Sequence, residues 1–133
     1  MKQRERQWQP VTLGPSVPAP VGAYSPAVRA GPFVFVSGQV PRNPETGELV
    51  GEDVESQTRQ VVANVKRALE AAGASLSDLV SVTVYLEDIG DWDRFNTAYK
   101  ALMSAPYPTR TALGAHLHGF LVEISAVAYL GDA

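Results

Sequence analysis

Apolar residues recur along this chain in two rhythms, and the rhythm assigns the elements. From Asp53 onward, Val54, Val61, Val62, Val65, Ala68, Leu69 and Ala72 return at helical spacing until Gly73 breaks the pattern. With Asp53 as N-cap and Gly73 as terminator, this predicts a helix of about five turns. Its other face carries Glu55, Arg59, Lys66 and Glu70, with Glu55 and Arg59 spaced for an i,i+4 ion pair. Trp92, Phe95, Tyr99 and Leu102 predict a second amphipathic helix over Trp92 to Met103, ended by Pro106 and Pro108. The other rhythm is that of strands. Phe33 to Val36 is a buried strand closed by Ser37-Gly38, and Val80, Val82, Val84 and Leu86 alternate with polar residues as a strand half buried against the first helix. Arg110 to Leu117 and Val122 to Leu130 alternate likewise, as two closing strands that a turn at His118-Gly119 would join in a hairpin.

Residues 1–19 mix charge and proline with little periodicity, so a flexible arm is expected there, with a short strand near Val11 to Leu13; residues 20–133 are the domain. The turn formers Asn43 to Gly47 place a surface loop before the first helix. The order strand, strand, helix, strand, helix, strand, strand makes the fold class α+β, with both helices on one face of the sheet. The other face then carries Val127 and Tyr129 beside polar residues, and its burial requires other subunits.

Composition narrows the function. At 133 residues, 45% hydrophobic and 19% charged, the chain is long enough for one packed core. It has no cysteine, which removes disulfides, thiolate catalysis and iron–sulfur clusters. A net charge of −3, with no basic groove set among aromatics, argues against nucleic acid as a partner. No apolar run suits a membrane span or signal peptide, which leaves a cytoplasmic location as the expectation.

No phosphate loop, nucleophile elbow or helical histidine pair is present, so neither a cofactor nor a metal is expected. His116 and His118 lie two apart and could face one way as ligands, but no third ligand is near, and surface or hydrogen-bonded histidines are the simpler reading. Arg110 begins an apolar strand on the face shared with the small residues Ala112 and Gly114, which leaves room for a carboxylate held by two parallel hydrogen bonds. Glu123, among Val122, Ile124 and Ala126, is the matching oddity. On spacing alone the two are either a site or a structural ion pair across strands. Tyr24 and Tyr99 read equally as core aromatics, Ser37 as a strand end, and Asn96 as a brace.

The motifs Pro20-Val21-Gly22-Ala23-Tyr24-Ser25-Pro26 and Val36-Ser37-Gly38-Gln39-Val40-Pro41 resemble the opening signature of the reactive intermediate deaminase (Rid, YjgF-like) family. Asn43 to Gly47, Gln57 to Gln60 with Asn64, Thr83 to Asp88, Asn96 to Tyr99, Tyr107 to Arg110 and Val122 to Ile124 continue the likeness in the family's order, over about residues 20 to 130. The resemblance implies a chorismate-mutase-like subunit assembled as a homotrimeric barrel, with sites between neighbours. It implies a 2-iminobutanoate/2-iminopropanoate deaminase-like hydrolase, turning small 2-imino or enamine acids, 2-aminoacrylate among them, into 2-oxo acids and ammonia. Arg110 matches the arginine that binds the substrate carboxylate, and Glu123 the glutamate that handles water. Tyr24, Ser37 and Asn96 match cleft positions, and Gly38 the glycine whose backbone approaches the cleft. The chain departs from the pattern at Ala23, at Leu117-His118 where leucine-proline is usual, and at Ser125. Competing readings are a non-catalytic trimeric module that binds small carboxylates and, less favoured by the acidic charge, a ribonuclease.

Overall fold

The computed structural model describes residues 4–14 and 20–132. Part of the expected arm, residues 1–3 and 15–19, lies outside the described residues. The elements run β1 (Gln9–Val11), β2 (Ala27–Ala30), β3 (Phe33–Gln39), α1 (Val54–Ala71), β4 (Leu79–Leu86), α2 (Trp92–Leu102), β5 (Thr109–Gly114) and β6 (Val122–Tyr129). They build one mixed six-stranded sheet in the order β1-β2-β3-β6-β4-β5, in which only β4 and β5 pair in parallel. The fold is α+β, as the element order predicts.

Each helix follows its sequence pattern closely. The Asp53 carboxylate accepts the Ser56 backbone N–H at 2.8 Å and caps α1. At the other end Gly73 takes a φ of 81°, and Ala74 N–H returns to the Leu69 carbonyl at 2.8 Å, closing the helix as only a glycine allows cheaply. The core-facing residues of α1, Val61, Val65, Ala68 and Leu69, meet Val34, Val36, Val82, Val84, Ile124 and Ala126 of the sheet. Phe95 and Tyr99 of α2 join the same cluster. The opposite face of the sheet has no helix over it. There Phe33, Phe35 and Tyr129 stand about two-fifths exposed, with the Phe33 and Tyr129 rings 5.2 Å apart. Among the described residues, no helix is long and apolar enough to cross a membrane.

Several expectations are corrected. The closing strands form no hairpin: β6 lies between β3 and β4, and β5 is the sheet edge. The segment between them, 115–121, passes over the end of β4, where Ala115 N–H binds the Leu86 carbonyl and Glu87 N–H binds the Leu121 carbonyl. Strand β5 accordingly ends at Gly114, short of Leu117. Val80 is 42% exposed, because a bulge between Leu79 and Ser81 puts Leu79 into the core in its place. Glu55 does not pair with Arg59. The Arg94 guanidinium at the start of α2 offers it two parallel bonds, of 3.0 and 2.7 Å, which a single-turn pair with Arg59 cannot match. Ala27–Ala30 is a strand with no counterpart in the apolar rhythm, and β1 sits at Gln9–Val11, slightly before its predicted place.

Polar residues of α1 tie the fold to the loops that border the site. Asn64, 8% exposed, donates to the Val40 and Arg42 carbonyls at 2.9 Å each and accepts from Gln60 at 3.0 Å. Asn64→Ala removes both bonds, leaving the Arg42 carbonyl unpaired and the Val40 carbonyl with the Arg42 N–H at 2.8 Å. At about 1 kcal/mol per bond, it is expected to lower the unfolding free energy by about 2 kcal/mol in urea denaturation, with an unchanged slope.

Candidate active site

Arg110 leaves the sheet on its helix-covered side, opposite Val82 in the parallel β4–β5 pair. Its guanidinium donates to the Asn96 side-chain oxygen at 2.8 Å and lies 5.0, 5.4 and 5.7 Å from the ring centres of Tyr99, Trp92 and Phe95. Four residues of α2 thus hold it, all on the face traced by i, i+3, i+4 and i+7. No carboxylate of the described residues comes within 4.0 Å of it. A half-buried guanidinium with several unspent donors, set among rings and one amide, is an anion-binding arrangement at a sheet edge.

Glu123 faces the other way. It pairs with Tyr85 on β4, so its side chain stands on the face without helices, and the alternative of an Arg110–Glu123 ion pair is overturned. Partial burial on the strand pushes its carboxyl above the usual carboxylate range, an effect that His118 opposes. Ser37 and Gly38 form a bulge that adds one residue to β3 against β6, and this brings the Gly38 backbone against the Glu123 carboxylate. A Cβ at Gly38 would overlap that carboxylate, so any other residue there would push the Glu123 side chain out of this approach. Ser37 donates to the Ser25 carbonyl at 2.6 Å and its N–H binds the Pro26 carbonyl at 3.0 Å, which fastens the loop carrying Tyr24 onto β3. Tyr24, 53% exposed, joins Gly38, Phe120 and His118 among the walls of a cavity of about 650 Å³.

The six candidate residues therefore gather as two groups: Arg110 with Asn96 at the β5 edge, and Glu123 with Gly38, Ser37 and Tyr24 at the junction of β3 and β6. Asn96, open to reading as a loop brace, instead accepts a bond from the Arg110 guanidinium. Tyr99 is a core residue, 5% exposed, and also a wall of the arginine cage. Sequence reasoning missed the cage itself. Trp92 and Phe95 were legible as a helical stripe, and only the placement of β5 beside α2 gives the stripe its second use. His116 is fully exposed, 3.9 Å from Glu87, and among the described residues no cluster of three potential metal ligands occurs.

Among the described residues the buried Tyr99 hydroxyl has no hydrogen-bond partner; Tyr99 lines a small apolar cavity with Val62, Val65, Leu79, Val82 and Met103, and burial raises its pKa, against which the nearby Arg110 charge works. An unpaired buried hydroxyl costs about 1–3 kcal/mol. Tyr99→Phe keeps the ring beside Arg110 and is expected to raise the unfolding free energy by about 1 kcal/mol, read from denaturant midpoints.

The family model described as Endoribonuclease L-PSP matches residues 15–130. A RutC family protein of Pyrococcus horikoshii is 45% identical over 116 residues, 86% of this chain and 92% of that protein. A Dermatophagoides farinae protein named 2-iminobutanoate/2-iminopropanoate deaminase is 35% identical over 100 residues, 75% of this chain and 78% of that protein. The crystal structure of RidA from the Antarctic bacterium Psychrobacter sp. superposes with a TM-score of 0.83 at 40% identity, covering 91% of this chain and 98% of that one. With a family match over residues 15–130 and relatives of this similarity, the chain belongs to the Endoribonuclease L-PSP (YjgF/RidA) family.

Proposed function

We propose that the chain hydrolyses imines of 2-oxo acids, and enamines that tautomerise to them, at sites built between copies of itself. The observation that carries this reading is the division of the site. Arg110 waits at a sheet edge for a carboxylate, while Glu123 stands on the opposite face of the same sheet, so one chain cannot close both around a small molecule. The edge of one copy set against the exposed aromatic face of another would bring Arg110 of the first to Glu123 of the second, and a closed ring of three would give each β5 edge a neighbouring face. The deaminase name of the Dermatophagoides relative supports the reaction class.

The chemistry asks little of the protein. Arg110 holds the acid group through two N–H bonds, and its charge favours the carboxylate form. A protonated imine carbon is already electrophilic. Water adds to that carbon while one of its protons passes to Glu123 and the π pair of C=N moves to nitrogen. Glu123 then returns the proton to nitrogen, the C–N bond breaks as the hydroxyl gives its own proton to Glu123 and becomes a carbonyl, and ammonia leaves, carrying that last proton away as ammonium when the imine entered protonated. One imine and one water give one 2-oxo acid and one ammonia. A carboxyl whose pKa burial raises above its ordinary value suits both halves of this exchange better than an ordinary one.

The test is to generate 2-iminopropanoate in situ with an amino-acid oxidase and follow the rate of imine loss with and without the protein. An unaccelerated rate would remove the deaminase reading. A hydrodynamic size fixed at that of a monomer would remove the shared site.

A further inference from the structure

We propose that Trp92 is a positioning residue for Arg110, fixing the aim of the guanidinium at the sheet edge while leaving its charge available to the ligand. This inference rests on Arg110 as the carboxylate holder. A guanidinium has five N–H donors on a long, rotatable stem, and the Asn96 oxygen engages only Nη1. One bond permits the group to swing about it. An acidic neighbour would stop the swing, but it would also neutralise the charge and compete with the incoming carboxylate. Aromatic rings attract the cation through their electron-rich faces and occupy none of its in-plane donors. Three rings surround this one.

The three are not equivalent. Phe95 is fully buried and Tyr99 nearly so; both belong to the core, 5.4 Å apart, and would be present for packing whatever Arg110 did. Trp92 is 38% exposed, is the first residue of α2, and takes no part in the core cluster. Its ring centre nonetheless lies 5.4 Å from the guanidinium carbon. The turn before it is fixed in place, with the Asp88 carboxylate accepting the Gly90 N–H at 2.8 Å and Asp91 N–H bonded to the Asp88 carbonyl at 3.0 Å. A large ring held at a partly exposed helix start, against a cation and outside the core, is explained by what it does to that cation.

The experiment measures pyruvate binding by calorimetry, alongside imine turnover, for the wild type, Trp92→Leu and Trp92→Phe. Leucine keeps apolar bulk without a ring face; phenylalanine keeps the ring. Trp92→Leu is expected to weaken pyruvate binding and raise KM about tenfold with kcat changed less than twofold, and Trp92→Phe to restore both to within about threefold. Wild-type binding by Trp92→Leu would overturn the assignment, as would equal weakening in both variants with a lowered Tm or an altered oligomer size, since that marks a packing role. If pyruvate binds and responds as expected while no imine is turned over, the positioning role stands and the deaminase reading falls. If the wild type binds no pyruvate, both fall.

Discussion

Glu123→Gln should lower kcat by about a hundredfold to ten-thousandfold in the coupled imine assay, the range that a positioned acid–base group supplies, while KM stays near its wild-type value because Arg110 is untouched. The same substitution should stabilise the fold at neutral pH. Burial raises the Glu123 pKa in the folded chain, so the native state holds this proton more tightly than the unfolded chain does. The group therefore costs nothing in acid, where it is protonated in both states. It becomes progressively destabilising as pH climbs from the ordinary carboxylate value through the raised one, and the cost is constant above that. A glutamine has no such dependence. The melting temperature of Glu123→Gln should exceed that of the wild type at pH 7, and the gap should close as the pH is lowered. A variant that lost activity without this pH-dependent gain would place the functional burden elsewhere.

Arg110→Ala should act on the ligand side of the reaction. Hydrogen bonds to a charged partner are worth about 1.5–3 kcal/mol each, so loss of a two-bonded carboxylate should lower kcat/KM by at least about a hundredfold, largely through KM. Arg110→Lys should recover little, because a point charge cannot reproduce the fork. The two-faced geometry adds a sharper result. Neither Arg110→Ala nor Glu123→Gln alone has a complete site, yet the two denatured together and refolded as mixed oligomers contain interfaces where an intact Arg110 meets an intact Glu123. About a quarter of wild-type activity should return if assembly is random. Activity no greater than the mean of the separate variants would show that each chain carries its own site.

Much of this arrangement was legible in the amino-acid order, and the illegible parts share a cause. The helices could be read because their caps and periods are local: Asp53, Gly73 and the stripes of α1 and α2 act within a few residues. Pairing across the sheet is not local. A short turn at His118-Gly119 between two alternating stretches reads as a hairpin, yet β5 follows α2 as a crossover strand and must lie parallel to β4, so segment 115–121 has to carry the chain over to the far side of β4. The Leu79/Ser81 bulge likewise shifts the inside of β4 by one residue, which an alternating pattern cannot signal. At the site, Arg110 and Glu123 stood out as charges in apolar strands, but the side of the sheet each faces depends on that same pairing. The cage was hidden because Trp92, Phe95 and Tyr99 serve a stripe and a cation with one set of rings.

Beyond the backbone bonds at its two ends, side chains pin segment 115–121 at two points. The Glu87 carboxylate accepts the Leu117 N–H and the Gln57 side-chain oxygen accepts the Leu121 N–H at 2.7 Å. Only His118, Gly119 and Phe120 lie between those pins, and His118 and Phe120 both line the cavity beside Gly38. Side-chain changes at the exposed His118 can therefore remodel the cavity rim without sliding β6, while Gly119, at a φ of 87°, and the buried Phe120 keep the span in shape. For anyone wishing to alter what the cavity admits, His118 is the natural point of change: a replaceable piece on a fixed frame.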